Sequence, residues 1–119
     1  MSRLQTKRVF DPPKRDDGYR VLVDRLWPRG VKKTDLGHDE WLKTVAPSGS
    51  LRRWFGHDPD RFDAFAERYR QELEGNEDVE RLAEIAAERP VTLLYAAKDR
   101  EHNHARVLVD IIKGHLGKG

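Results

Sequence analysis

Apolar and polar positions change period several times along this chain, and each change marks an element. Val91-Thr92-Leu93-Leu94-Tyr95-Ala96-Ala97 is a mostly apolar run behind Pro90 and Arg89. Its length and β-branched content predict a buried strand. Val21, Leu22 and Val23 predict a second, running from Tyr19 to Leu26 and covered on both faces. Leu4 to Phe10 alternates more weakly and reads as a third, ended by Asp11-Pro12-Pro13 because proline cannot donate to a ladder.

Helical spacing takes over elsewhere. Phe62, Phe65, Ala66, Tyr69 and Leu73 form one apolar stripe, with Asp58 as N-cap and Pro59 at the first helical position. Asn76 is placed to cap the next helix, whose stripe is Val79, Leu82, Ala83 and Ala86. Leu108, Val109, Ile112 and Leu116, widened by Val107 and Ile111, predict a last helix over Ala105 to Leu116. Two short helices are expected between Thr34 and Gly56. One starts at Asp39-Glu40 with Trp41 and Val45 on a face; the other, capped by Ser48, holds Leu51, Trp54 and Phe55. Strands alternating with helices imply a small α/β fold.

At 119 residues the whole chain, 1–119, reads as a single compact domain. Hydrophobic and charged residues each make up 37%, which predicts a thin core under a charged surface. The absence of cysteine excludes disulfides, thiolate catalysis and cysteine-ligated metal, and fits a reducing, cytoplasmic setting. No apolar run approaches the roughly 20 residues of a membrane span, and the polar N-terminus predicts no signal peptide. Net charge is +2 but uneven: residues 1–33 carry ten Lys and Arg against four Asp and Glu. Such a basic third attracts phosphates or nucleic acid.

The candidate chemistry lies behind the strands. Lys98-Asp99-Arg100-Glu101-His102-Asn103-His104-Ala105-Arg106 is a polar loop between a buried strand and a helix start. Ligands of α/β domains bind outside the carboxyl ends of strands, and helix starts favour anions. His102 and His104 are suited to proton transfer near neutral pH, while Lys98, Asn103 and Arg106 can hold an anion. A metal site is not expected: the two histidines are two apart, and no third soft ligand is near. Asp24-Arg25-Leu26-Trp27-Pro28-Arg29-Gly30 follows the second strand. Arg25 and Arg29 offer planar forks for carboxylate or phosphate, Asp24 can orient a partner, and Trp27 can stack or pack. If the two strands are parallel neighbours, both segments meet on one edge of the sheet. In Leu51-Arg52-Arg53-Trp54-Phe55-Gly56-His57-Asp58-Pro59, Arg52 and Arg53 with Trp54 could contact a nucleic-acid strand, but Trp54 and Phe55 read better as core; His57 is the one candidate here that could face the site. His38 and His115 read as surface residues. No nucleotide-binding fingerprint or serine elbow is present, and no cofactor is implied.

Three motifs together carry a family resemblance. Asp17-Gly18-Tyr19-Arg20-Val21-Leu22-Val23-Asp24-Arg25-Leu26-Trp27-Pro28-Arg29-Gly30, Trp54-Phe55-Gly56-His57-Asp58-Pro59, and Leu93-Leu94-Tyr95-Ala96-Ala97-Lys98-Asp99 followed by His102-Asn103-His104-Ala105 resemble the YeaO-like family of uncharacterised bacterial proteins. The similarity covers nearly the whole chain. It implies a compact α/β domain with a small, mainly parallel sheet of three to four strands flanked by helices. A shared site would use Asp24, Arg25, Trp27, Arg29, Lys98, His102 and His104.

The leading expectation is a polar strand-end site for a small anionic ligand, phosphate- or carboxylate-bearing. An enzymatic use would engage Asp24, Arg25, His102 and His104, with Trp27, Arg29, Lys98, Asn103 and Arg106 as ligand contacts. The alternative is a nucleic-acid-binding or regulatory module that uses the basic N-terminal third. The sequence does not fix the oligomeric state, and no membrane association is expected.

Overall fold

A computed structural model describes residues 3–117. Four strands form one parallel sheet: β1 (Leu4–Arg8), β2 (Tyr19–Leu22), β3 (Glu40–Trp41) and β4 (Val91–Tyr95), in the order β1-β4-β2-β3. The helices are α1 (Lys33–Leu36), α2 (Gly49–Phe55), α3 (Phe62–Glu72), α4 (Glu77–Glu88) and α5 (His104–Gly117). The small α/β architecture expected from the pattern, with the parallel sheet implied by the family resemblance, is what forms.

β4 lies between β1 and β2, which explains its mostly apolar run: every one of its residues is at most 1% exposed. On one face Val21, Val23, Val91, Leu93 and Tyr95 pack against α2 to α5 in the main core. On the other, Leu22 and Leu94 meet Val9, Leu36, Trp27 and Trp41 in a smaller cluster. A strand buried on both faces must be apolar on both, so alternation is lost.

The helix starts follow their caps. Ser48 Oγ accepts from the Leu51 N–H, Asp58 Oδ1 from the Asp60 N–H, and Asn76 Oδ1 from the Asp78 and Val79 N–H groups. Pro59 opens a single tight 3₁₀ turn, Pro59–Arg61, before α3 proper. Phe65 and Tyr69 of the α3 stripe are buried, and the Tyr69 hydroxyl donates to the Val45 carbonyl.

Four expectations are corrected. Glu40-Trp41 is not a helix start but β3, pairing with Val21 and Leu22. The edge beside β2 was open, and two ladder positions outweigh a weak helical signal. β2 ends at Leu22 rather than Leu26, and Leu26 is 63% exposed. The cause is local: Val23 still donates to Leu94, but the next N–H of the neighbouring strand, that of Ala96, is taken by the Asp24 side chain. A carboxylate therefore ends the ladder. Phe10 lies beyond β1 and is 54% exposed, its ring under the Arg8 guanidinium. His38 is half-buried against the Trp27 ring rather than on the surface.

Candidate functional site

Because β2 and β4 are parallel neighbours, their carboxyl ends deliver Asp24-Arg25 and Lys98-Asp99 to one edge, as the two strand-end motifs require. A cavity of about 640 Å³ opens there, within the size range of small-molecule sites. Leu26, Trp27, Pro28, Pro47, Phe55 and Phe65 supply most of its wall. Arg25, Arg52, Lys98, Asp24, Asp99, His57, Asn103 and His104 supply its polar groups.

Two hydrogen bonds hold Asp24 against His104. Its Oδ2 accepts the Ala96 N–H at 2.9 Å, and its carbonyl accepts the Trp41 indole N–H at 2.8 Å. Its Oδ1 lies 3.0 Å from His104 Nε2. That contact is at ion-pair distance but lacks hydrogen-bond geometry: Oδ1 is buried and has no hydrogen-bond partner among the described residues. His104 Nε2 is instead paired with the Val23 carbonyl at 3.1 Å. A carbonyl only accepts, so this nitrogen carries the proton.

The remaining polar groups divide into occupied and free. Asn103 is 2% exposed; its Oδ1 accepts the Arg106 N–H, and its Nδ2 donates to the Asp99 carbonyl. It is the N-cap of α5. Asn103→Ala is expected to cost about 0.5–2 kcal/mol through the lost cap, read as a lower urea midpoint. Asp99 accepts the Glu101 and His102 N–H groups and the His102 ring. The His102 N–H first, then that of Glu101, hold the Asp99 carboxyl below its usual range. Arg25, Arg52 and Lys98 are exposed and make no ion pair among the described residues.

Of the residues singled out from the sequence, Asp24, Arg25, Trp27, Lys98, Asn103 and His104 meet at this cavity. His102, Arg29 and Arg106 do not line it. His102 sits outside, edge-on to the Phe62 ring at 5.2 Å. Arg29 and Arg106 are exposed. His57 does line the cavity, and it holds a positive φ of 58°, a conformation uncommon outside glycine. Arg52, Phe55 and Phe65 were missed as site residues. They arrive on α2 and α3, and their sequence spacing reads as helix packing alone.

Three of the ten Lys and Arg in the basic N-terminal third pair with carboxylates of the same third. Lys7 and Arg20 both pair with Asp17, and Arg3 pairs with Asp16. Among the described residues no group of three or more His, Cys, Asp or Glu is placed to hold a metal, and no helix is long and apolar enough to cross a membrane.

The family model described as "Inactive DUF488-N3 subclade" matches residues 3–118. The chain belongs to that family. Membership agrees with the YeaO-like resemblance carried by the three motifs. Uncharacterized protein YeaO of Escherichia coli K12 is 51% identical over 111 residues, covering 92% of this chain and 96% of the relative. Uncharacterized protein Rv3073c of Mycobacterium tuberculosis H37Rv is 41% identical over 113 residues, covering 95% and 96%. No solved structure matches the chain. The subclade match takes in all three motifs, so every group lining the strand-end cavity falls within it.

Proposed function

We propose that this DUF488-N3 protein binds a small anionic ligand, phosphate- or carboxylate-bearing, at the β2–β4 strand ends and does not turn it over. One observation carries the reading: three cations without ion pairs among the described residues, Arg25, Arg52 and Lys98, border a largely apolar cavity at the sheet edge where α/β domains bind ligands. Other exposed cations without ion pairs among the described residues, such as Arg29 and Arg106, lie off the cavity wall.

Binding without turnover is favoured by two facts. The subclade is described as inactive. The one histidine inside the cavity next to a carboxylate, His104, has its Nε2 proton directed to a backbone carbonyl. The roles that Asp24, Arg25 and His104 would have in catalysis become recognition and support. His102, Arg29 and Arg106, which lie off the cavity wall, have no part in this reading.

The test is a thermal-shift titration with inorganic phosphate, sulfate and small carboxylates at low salt. A ligand at 100 times its dissociation constant adds about 2.7 kcal/mol, a shift of several degrees for a domain of this size. The double variant Arg25→Ala/Lys98→Ala is expected to weaken anion binding about 100-fold or more, because each charge-assisted hydrogen bond contributes about 1.5–3 kcal/mol. Unchanged binding by the folded double variant would overturn the reading.

A further inference from the structure

Two buried side-chain polar atoms have no hydrogen-bond partner among the described residues: Asp24 Oδ1 and His38 Nδ1. His38 lies against the Trp27 ring at 5.2 Å, and a neutral imidazole tolerates an unused acceptor nitrogen far better than a carboxylate tolerates an unused oxygen. Asp24 is the harder case. Its side chain is 16% exposed, at the cavity, in a surround that includes Phe55, Phe65, Ala96 and Ala97. The nearest donor, His104 Nε2–H, is committed to the Val23 carbonyl. The Ala96 N–H holds the other oxygen in place, so the carboxylate cannot swing to water without breaking the β2–β4 edge.

Resting on the anion-binding reading above, we propose that Asp24 Oδ1 selects the ligand by accepting a hydrogen bond from a ring N–H of a planar heterocycle that also carries the anionic group. A mononucleotide whose base has a lactam N–H is the class that fits. Three features point to it. The exposed cations and the enclosed carboxylate place an anion at the mouth and a donor deep inside. The wall combines aromatic rings with Leu26, Pro28 and Pro47, which favours a flat ring over an aliphatic chain. A neutral N–H suits this setting better than an ammonium, because burying an ammonium among apolar groups is costly and Arg25, Arg52 and Lys98 would repel it. Occupation gives Oδ1 its missing partner while the Ala96 bond stays intact. Asp24 then acts as a specificity residue and takes no part in any chemical step.

The experiment is calorimetric titration of the wild-type protein with ribose 5-phosphate, uridine 5′-monophosphate, guanosine 5′-monophosphate and the ring-N-methylated forms of both nucleotides. Wild type is expected to bind at least one unmethylated nucleotide ten-fold or more tighter than ribose 5-phosphate, and to lose that gain on methylation of the ring N–H. Asp24→Asn is expected to keep the Ala96 bond through its amide oxygen and to present an NH₂ where Oδ1 stood. It should erase the preference for the unmethylated nucleotide over its ring-N-methylated form. Circular dichroism and an unchanged urea midpoint would show that the variant folds. Should Asp24→Asn unfold, the methylation comparison in wild type decides alone. If ribose 5-phosphate binds through Arg25 and Lys98 but neither base adds affinity, the Asp24 proposal fails and the anion site stands. If no probe binds, both fail.

Discussion

Asp17→Ala is expected to cost about 3–5 kcal/mol of folding stability, the range for breaking a buried ion pair by removing one partner. Asp17 is 1% exposed, on the sheet face away from the main helices. Its carboxylate takes the Lys7 ammonium at 2.8 Å, the Arg20 guanidinium at 2.5 Å and the Lys14 N–H at 3.0 Å. Truncation leaves two nearly buried cations without a counter-charge, side chains only 16% and 6% exposed. The Asp17 carbonyl also accepts the Thr92 hydroxyl at 2.8 Å, tying the turn to the central strand. Against a usual total of about 5–15 kcal/mol, such a loss leaves little fold at 37 °C. A urea titration measures it, and a midpoint within 0.5 kcal/mol of wild type would contradict the account.

The same residue sets a pH dependence. Burial alone would raise the Asp17 pKa, but Lys7, the Lys14 N–H and Arg20 together outweigh it and hold the carboxyl below its ordinary value. Arg100 does the same for Asp11, lowering it to about 2. A depressed folded pKa gives stability that is complete above the unfolded value, about 3.9, and is lost as pH falls through the folded value. Wild type should therefore weaken steadily below about pH 4, and Asp17→Ala should show a shallower slope in that window.

None of this network is visible in the sequence. Its members stand at positions 7, 17, 20 and 92, and only the order β1-β4-β2 brings them together. Charged residues in and beside β1 and β2 read as surface until the other strands place Gln5, Thr92 and Asp17 among them. What is legible is what local physics controls: the caps Ser48, Asp58 and Asn76, the stripes of α3 and α4, and the apolar run of β4. β3 escapes because two residues cannot show a period. The site is legible by half. Asp24, Arg25 and Lys98 follow strand ends, so chain order exposes them. Arg52, Phe55 and Phe65 face the cavity because of how α2 and α3 pack, and their spacing is that of any buried helix. The free oxygen of Asp24 is legible nowhere in the sequence, since it depends on which acceptor His104 chooses.

Gly18→Ala is expected to be the costliest glycine replacement among the described residues, at about 2–5 kcal/mol from a positive-φ backbone penalty and overpacking combined. Gly18 has φ +67°, and a Cβ there would stand 2.2 Å from the Pro90 carbonyl oxygen. Gly37 has the same φ of +67° with nothing within 4 Å of the added atom. Gly37→Ala should therefore show the backbone penalty alone, about 1–2 kcal/mol. Gly18 also has ψ −130°, outside the left-handed well that Gly37 occupies at ψ 31°, so its larger loss combines a backbone conformation open essentially to glycine alone with the Pro90 contact, and equal losses in the two urea midpoints would contradict both. More than stability depends on that contact. The Pro90 carbonyl accepts the Tyr19 N–H at 2.9 Å and starts the register that pairs Tyr19 with Val91 and Leu22 with Leu94. Continued by two residues, this register sets Asp24 beside the Ala96 N–H that fixes its carboxylate. Moving the strands by one position would send every side chain of β2 to the opposite face and take Asp24 off Ala96. The close approach of Gly18 to Pro90, at the amino ends of the strands, thus sets the geometry of the cavity at their carboxyl ends.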